Sequence, residues 1–264
     1  VPLTYLPDIF YIKSVKIRPI HPHAAILIED EGRKYVIVSD LHIGLEAELL
    51  KKGITVNQNL VSDMVAEILG LIKSEHADGV IILGDIKHTV GAISKQEWND
   101  VPFFLNQLSS NTEVYIVPGN HDSNIEQLVP VNVNITSSKG MKLDDTLLVH
   151  GHSMPSDVRA HVNQIVMGHI HPVFLKRGSV INGERVWLYI RTRKEAIFTE
   201  KGMLDIVVEP TFNPYIYSTA EKTYSKSISP IIKRAMQYGG IRKCIIATLD
   251  GSIIGDTSLL AYIL

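Results

Sequence analysis

The chain has 264 residues, of which 45% are apolar and 20% charged, with a formal net charge of −2. That length accommodates one large α/β core with room for an appendage, and the composition excludes a disordered, collagen-like or coiled-coil chain. No run approaches the roughly 18 apolar residues that span a bilayer, and a lone cysteine, Cys244, excludes an internal disulfide or a thiolate metal cluster.

At the start, Pro2, Pro7 and Asp8 stand where a secretory signal would place basic residues and an apolar run, so a cytoplasmic location is expected. His23 to Val38 reads as a hairpin turning at Glu31-Gly32 and ending in the apolar run Tyr35 to Val38. Leu60, Met64, Ile68 and Ile72 form one stripe, with Val61, Val65 and Leu69 beside it, which is the spacing of an amphipathic helix. Val80 to Leu83 is a second buried strand. Ser94 and Glu97 make a capping box for a helix through Trp98, Val101 and Leu105, which Pro102 is expected to kink or restart. Further strands follow at Val114 to Val117, Leu147 to Val149, Ile165 to Met167 and Met203 to Val208. Pro210, Pro214 and the polar stretch Ser218 to Ser229 break the pattern, giving a core of residues 1–210 and a C-terminal extension of 211–264 packed on it. The extension reads as a helix around Pro230 to Tyr238, then a hairpin from Cys244 to Leu249 that turns at Asp250-Gly251. Strands alternating with helices argue for an α/β layered domain.

The chemistry lies where the strands end. Val38 runs into Asp40-Leu41-His42, Leu83 into Gly84-Asp85-Ile86-Lys87-His88, and Val117 into Gly119-Asn120-His121-Asp122. Val149 runs into His150-Gly151-His152, and Met167 into Gly168-His169-Ile170-His171. Carboxyl ends of neighbouring strands meet at one edge of an open α/β sheet, so the five clusters are expected to converge in one crevice. Any one cluster is weak evidence, but five strand ends delivering unpaired carboxylates and imidazoles would cost several kcal/mol if nothing bound them. Imidazole with carboxylate suits zinc, iron or manganese, and the shortage of cysteine disfavours a closed structural zinc site.

Asp-x-His, Gly-Asp-x-x-His, Gly-Asn-His-Asp, His-Gly-His and Gly-His-x-His, in this order over residues 40–171, resemble the signature of the calcineurin-like metallophosphoesterases. Asp40-Leu41-His42-Ile43-Gly44-Leu45-Glu46 and Pro210-Thr211-Phe212-Asn213-Pro214 are similar, more narrowly, to an archaeal group of predicted phosphohydrolases related to SbcD-type nucleases. The resemblance implies a four-layer αββα sandwich in which Asp40, His42 and His171 bind one metal, Asn120, His150 and His169 a second, and Asp85 bridges the two. It implies manganese as the expected pair, with iron, zinc or nickel as alternatives, and hydrolysis of a phosphodiester by a hydroxide shared between the ions. His121 is implied as the catalytic imidazole and Asp122 as its orienting carboxylate, with the cap of a helix over Ser123 to Leu128 as the structural alternative for Asp122. His88 is read as touching the substrate or supporting a ligand.

Residues 1–170 hold 13 Lys+Arg against 20 Asp+Glu, and residues 171–244 hold 13 against 6. An acidic part suits cations, while a basic one suits a polyanion or is a solvated face. Arg191, Arg193, Lys194, Lys233, Arg234, Arg242 and Lys243 are therefore candidate phosphate contacts, with DNA or RNA as the expected partner. A nucleotide or small-molecule phosphatase is the alternative enzyme. A non-catalytic binding protein on the same scaffold is disfavoured because the ligand pattern and His121 are intact, and a homodimer is compatible with the composition.

Overall fold

The computed structural model describes residues 15–57, 59–155, 161–216 and 229–263. The readings on Val1 to Phe10 and on 218–228 lie outside the described residues. Two sheets organise the chain. The first opens with β1 (Lys16–Pro19), β2 (Ile26–Asp30) and β3 (Arg33–Val38), paired antiparallel. Glu31 and Gly32 turn between β2 and β3 at φ 49° and 81°, the positive values that match the right-handed twist of a tight hairpin. In parallel with β3 and with one another run β4 (Gly79–Ile82), β5 (Glu113–Ile116) and the short β6 (Asn134–Ile135).

Three helices connect these strands: α1 (Leu45–Lys51), α2 (Leu60–Glu75) and α3 (Lys95–Ser109). Met64 and Ile68 of α2, with Phe104 and Leu105 of α3, pack on the outward face of the first sheet against Val36, Val80 and Val114. The expected capping box forms, with Ser94 Oγ accepting from Glu97 N–H and the Glu97 carboxylate accepting from Ser94 N–H. Pro102 neither breaks nor restarts α3. Burial of Val101, Phe104, Leu105 and Leu108 along one face offsets the single hydrogen bond a helical proline cannot donate.

The second sheet contains β7 (Met141–Leu143), β8 (Thr146–Val149), β9 (Gln164–Met167), β10 (Val186–Arg193), β11 (Met203–Val208), β12 (Lys243–Thr248) and β13 (Ile253–Asp256). Its spatial order is β13-β12-β10-β11-β9-β8-β7, with β8, β9 and β11 parallel. Ile37, Ile81, Leu148, Val166, Trp187 and Val207 fill the space between the sheets. Ile231, Ile232 and Leu260 cover the far side of the second sheet, from the helix Pro230–Arg234 and the 3₁₀ turn Thr257–Tyr262. The layers therefore run helix, sheet, sheet, helix, the αββα sandwich expected from the motifs.

One expectation changes. The five ligand-bearing strands are not neighbours in one open sheet but are divided, β3 to β5 in the first and β8 and β9 in the second. Residues beyond 210 also supply two strands of the second sheet, because β12 pairs with β10 from Val186↔Thr248 to Arg191↔Lys243. Among the described residues, no helix is long and apolar enough to cross a membrane.

Candidate metal centre

All seven predicted ligands stand just past strand ends, and the C-terminal edges of the two sheets meet there. Asp40 and His42 follow β3, Asp85 follows β4, Asn120 follows β5, His150 follows β8, and His169 and His171 follow β9. Five hold left-handed backbone: Asp40 at φ 58°, His42 at 44°, Asp85 at 52°, His169 at 70° and His171 at 48°. That region costs a non-glycine residue roughly 1–3 kcal/mol, and it turns the chain sharply enough to bring alternate side chains back into one space. The motif glycines serve close approach. A Cβ on Gly168 would lie 2.5 Å from Asp40 Oδ2, and one on Gly119 would collide with the Asp85 carboxylate.

The predicted ligands fall into two overlapping groups, and His42, His88 and His121 gather as a third beside them. Asp40, His42, Asp85 and His171 form one, Asp85, His150 and His169 the other, each with donor atoms within 4.8 Å of one another. In the first, His42 Nε2 is 3.3 Å from His171 Nε2 and 3.6 Å from Asp85 Oδ2, and His171 Nε2 is 3.1 Å from Asp40 Oδ1. In the second, His150 Nε2 is 3.2 Å from His169 Nδ1, from Asn120 Oδ1 and from Asp85 Oδ2. Two imidazole nitrogens on one tetrahedral ion, at bonds of about 2.0–2.1 Å, stand about 3.3 Å apart. Lone-pair donors gathered at these spacings in a buried space fit two divalent ions that share Asp85.

The clustered charges shift one another. Burial alone would raise the carboxyl of Asp40, but the imidazoles of His171 and His150 outweigh it and hold the group at about 2. Asp85 is likewise held well below the usual range against burial by His150 and His42. Burial opposes protonation of His150 too, yet Asp85 and Asp40 raise this ring to about 10. Burial and the charge of His150 push His169 down to about 4. In the absence of an ion, a proton on His150 supplies the positive charge the carboxylates require.

His121 lies beside Asp85, donating its main-chain N–H to Oδ1 at 2.9 Å, with its Nε2 3.9 Å from Oδ2. Its ring is not held by Asp122. The partner of His121 Nδ1 is the main-chain carbonyl of His88. Asp122, fully enclosed, instead accepts from Ile86 N–H and Gly119 N–H, both at 2.8 Å, tying the loops after β4 and β5 together. Burial and the nearby charge of Asp85 raise its carboxyl to about 6. Nor does its side chain cap the following turn, since the 3₁₀ helix Ile125–Gln127 begins from Asn124. Glu46 accepts from Gly44 N–H at 3.0 Å and serves the start of α1.

Sequence reading missed three carboxylates. Glu97 accepts from the main-chain N–H groups of His88, at 3.0 Å, and Thr89, at 2.7 Å. Glu48 contacts His88 Nε2 at 2.8 Å. Glu209, fully buried past β11, completes no hydrogen bond of ordinary geometry among the described residues, nor does Ser39 Oγ. Burial and the charge of Asp40 push Glu209 well above the usual carboxylate range, against a smaller opposing pull from Ser39. The capping box flagged Glu97 in a different role; no local signal marks the other two.

Strand register carries the basic segment away from this centre. Arg191 and Arg193 lie opposite Asp205 and Met203 of β11, and Lys243 lies opposite Arg191. The centre is at the other end of β11, where Val208 pairs with Met167. The two ends of β11 are about 17 Å apart at roughly 3.4 Å per residue. The guanidinium of Arg191 is taken up by both oxygens of Asp205, at 2.6 and 2.7 Å, and Lys194 is buried 3.4 Å from Glu200. Arg193, Lys233, Arg242 and Lys243 are exposed. Arg191, Arg193, Lys194, Arg242 and Lys243 form a basic corner remote from the donors, whereas the helix that carries Lys233 starts at Ser229, whose Oγ donates to the carbonyl of Gly151 beside His150.

The structure is similar to Pseudomonas putida nuclease MPE, with a TM-score of 0.51 and 17% identity over 95% of this chain and 100% of that one. It is also similar to YfcE, a phosphoesterase from E. coli, with a TM-score of 0.39 and 17% identity over 85% of this chain and 98% of that one. No curated protein sequence matches the chain. Residues 34–189 match the model of the calcineurin-like phosphoesterase superfamily domain, a span that includes every candidate ligand from Asp40 to His171. The chain belongs to the calcineurin-like phosphoesterase superfamily.

Proposed function

We propose that this chain hydrolyses phosphodiesters, with nucleic acid as the substrate, at the centre shared by the two sheets. One observation carries the reading: Asp85 is common to two donor groups, with His121 beside it. Two divalent ions bound there, manganese in our reading, would polarise the phosphoryl oxygens and make a water molecule acidic at neutral pH.

The chain's own groups do the rest. Asp40, His42 and His171 would hold one ion, Asn120, His150 and His169 the other, and Asp85 both. With Nδ1 of His121 occupied by the His88 carbonyl, Nε2 is the atom presented to the cleft, and it stabilises the phosphorane charge or passes a proton to the leaving oxygen. Asp122 keeps the loops carrying Asp85 and Asn120 in register.

The likeness to a nuclease across 95% of the chain supports a nucleic-acid substrate. So does the resemblance of the Asp40 to Glu46 and Pro210 to Pro214 stretches to a group related to SbcD-type nucleases. A reducing, cytoplasmic setting suits Cys244, whose thiol burial pushes up to about 12. A second reading, hydrolysis of a nucleotide or other small phosphate ester, is favoured by the distance of the basic corner from the centre. A manganese-supplemented panel separates them: a chromogenic diester and single- or double-stranded nucleic acid are expected to be cleaved faster than the matching monoester. A preference for the monoester, with nucleic acid untouched, would establish the second reading.

A further inference from the structure

Two side chains that the proposed reaction does not use, Glu48 and His88, run in a line to the predicted ligand His42. Glu48 Oε2 is 2.8 Å from His88 Nε2, and His88 Nδ1 is 3.4 Å from His42 Nδ1. The remaining nitrogen of His42, Nε2, faces His171 and Asp85 in the first donor group. With both rings neutral, donor and acceptor rules permit one consistent arrangement. A carboxylate only accepts, and a neutral imidazole has one N–H and one lone pair. Nε2 of His88 therefore carries its proton toward Glu48, which leaves Nδ1 bare to accept from His42. Nδ1 of His42 is then the protonated atom, and its Nε2 offers a lone pair to the donor group. Reversing either tautomer sets two lone pairs or two protons against each other.

Glu48 and His88 are anchored by helices that contribute no predicted ligand. Glu48 lies on α1, where Lys52, one turn on, bonds to its other oxygen. Lys52 and His88 together hold the Glu48 carboxyl below the usual range, so it remains an acceptor. From α3, buried Glu97 accepts the main-chain N–H groups of His88 and Thr89 and so fixes the peptide from which the His88 ring projects. The ring is enclosed, with 12% of its side chain exposed, while Glu48 at 37% reaches solvent.

We propose that Glu48 and His88 are positioning residues for the first metal, acting through His42 by fixing the tautomer in which its Nε2 can ligate. The proposal rests on the two-ion reading of the centre. It extends the familiar pairing of a ligating histidine with a carboxylate by one imidazole, which moves the carboxylate out to the surface.

Manganese titration of the metal-free protein, followed by the paramagnetic relaxation of water, tests it in the wild type, Glu48→Ala and Glu48→Gln. Glu48→Ala should weaken one of the two ions about 10–100-fold and leave the other within about twofold, as expected for the loss of an outer partner. Glu48→Gln, whose amide oxygen still accepts from His88, should retain most of the affinity. Nitrogen-15 imidazole spectra of the metal-free protein supply a second readout. In the wild type His88 should be the Nε2–H tautomer and His42 the Nδ1–H tautomer, and Glu48→Ala should mix them. Equal weakening of both ions, unchanged affinity for both, or the opposite tautomers would overturn the proposal. So would a third equivalent of manganese that His88→Ala abolishes, because 3.4 Å is also the separation of two nitrogens on one ion. A wild-type protein that binds no metal but shows the stated tautomers would refute the two-ion reading and leave the hydrogen-bonded line standing.

Discussion

His150 Nδ1 donates to the main-chain carbonyl of Leu83 at 2.8 Å, a hydrogen bond from the end of one sheet to the end of the other. The carbonyl only accepts, so the proton on Nδ1 is fixed and Nε2 is the atom that faces Asp85, 3.2 Å away. Without metal, Nε2 is protonated as well, since the carboxylates raise this ring to about 10.

A divalent ion must displace that second proton. Because the ring stays protonated up to about pH 10, metal affinity should rise with pH across the neutral range, and each unit downward should cost about tenfold. Manganese titrations at about pH 6.5 and about pH 8.5 should therefore differ by about a hundredfold. A flat profile would show that no proton occupies the site.

His121→Ala should retain both ions by elemental analysis and lose about two to four powers of ten in turnover, the usual size of a general acid–base contribution. Asp85→Asn should lose both ions and all activity, because the amide cannot serve two cations as a carboxylate does. Metal loss in His121→Ala in step with activity would place that ring among the ligands.

The basic corner gives a prediction that depends on length. At about 17 Å from the centre, it is out of reach of a duplex shorter than about five base-pair steps of about 3.4 Å. Arg193→Glu with Lys243→Glu should weaken cleavage of long nucleic acid about tenfold or more and flatten its salt dependence. A dinucleotide or a chromogenic diester should be cleaved as before. Equal losses on every substrate would mean that the charge reversals disturb the fold.

Glu209 should shape stability in the metal-free state. Its folded pKa lies well above 4.5, so the native state keeps a proton that the unfolded chain releases. Any destabilisation is absent below the unfolded value and grows by about 1.4 kcal/mol per pH unit until the folded pKa is reached. Glu209→Gln stays neutral throughout, so its thermal midpoint should match wild type near pH 4 and exceed it increasingly toward neutrality. Melting curves of chelator-treated protein over that range measure the difference.

Much of the centre was legible because each part of it is local: an apolar run that must be a buried strand, followed at once by groups too polar to leave unpaired. Asp40, His42, Asp85, Asn120, His150, His169 and His171 all announce themselves in this way. What the runs do not encode is their neighbours, so the division of β3 to β5 from β8 and β9 was invisible. The longest strand, β10, is absent from the sequence reading even though Val186 to Ile190 is uniformly apolar. Missing it hid the reversal of direction that carries Arg191 and Arg193 to the far edge. Asp122 was assigned to the ring next to it in sequence, whereas its partners, Ile86 and Gly119, depend on how two loops pack. Glu48 and Glu97 reach His88 through helix placement, which no spacing rule foretells.

Among the described residues no strand belongs to both sheets, and the gap between them is filled by side chains such as Ile37, Leu148, Val166 and Trp187. Asp85 rides on one jaw and His150 on the other, so the width of that filling sets how far apart they stand. A methylene added or removed there acts as a shim in a vice, reaching the reacting atoms from a residue that touches none of them. The spacing of Asp85 and His150 is in this sense a mechanical setting of the core, adjustable by volume alone.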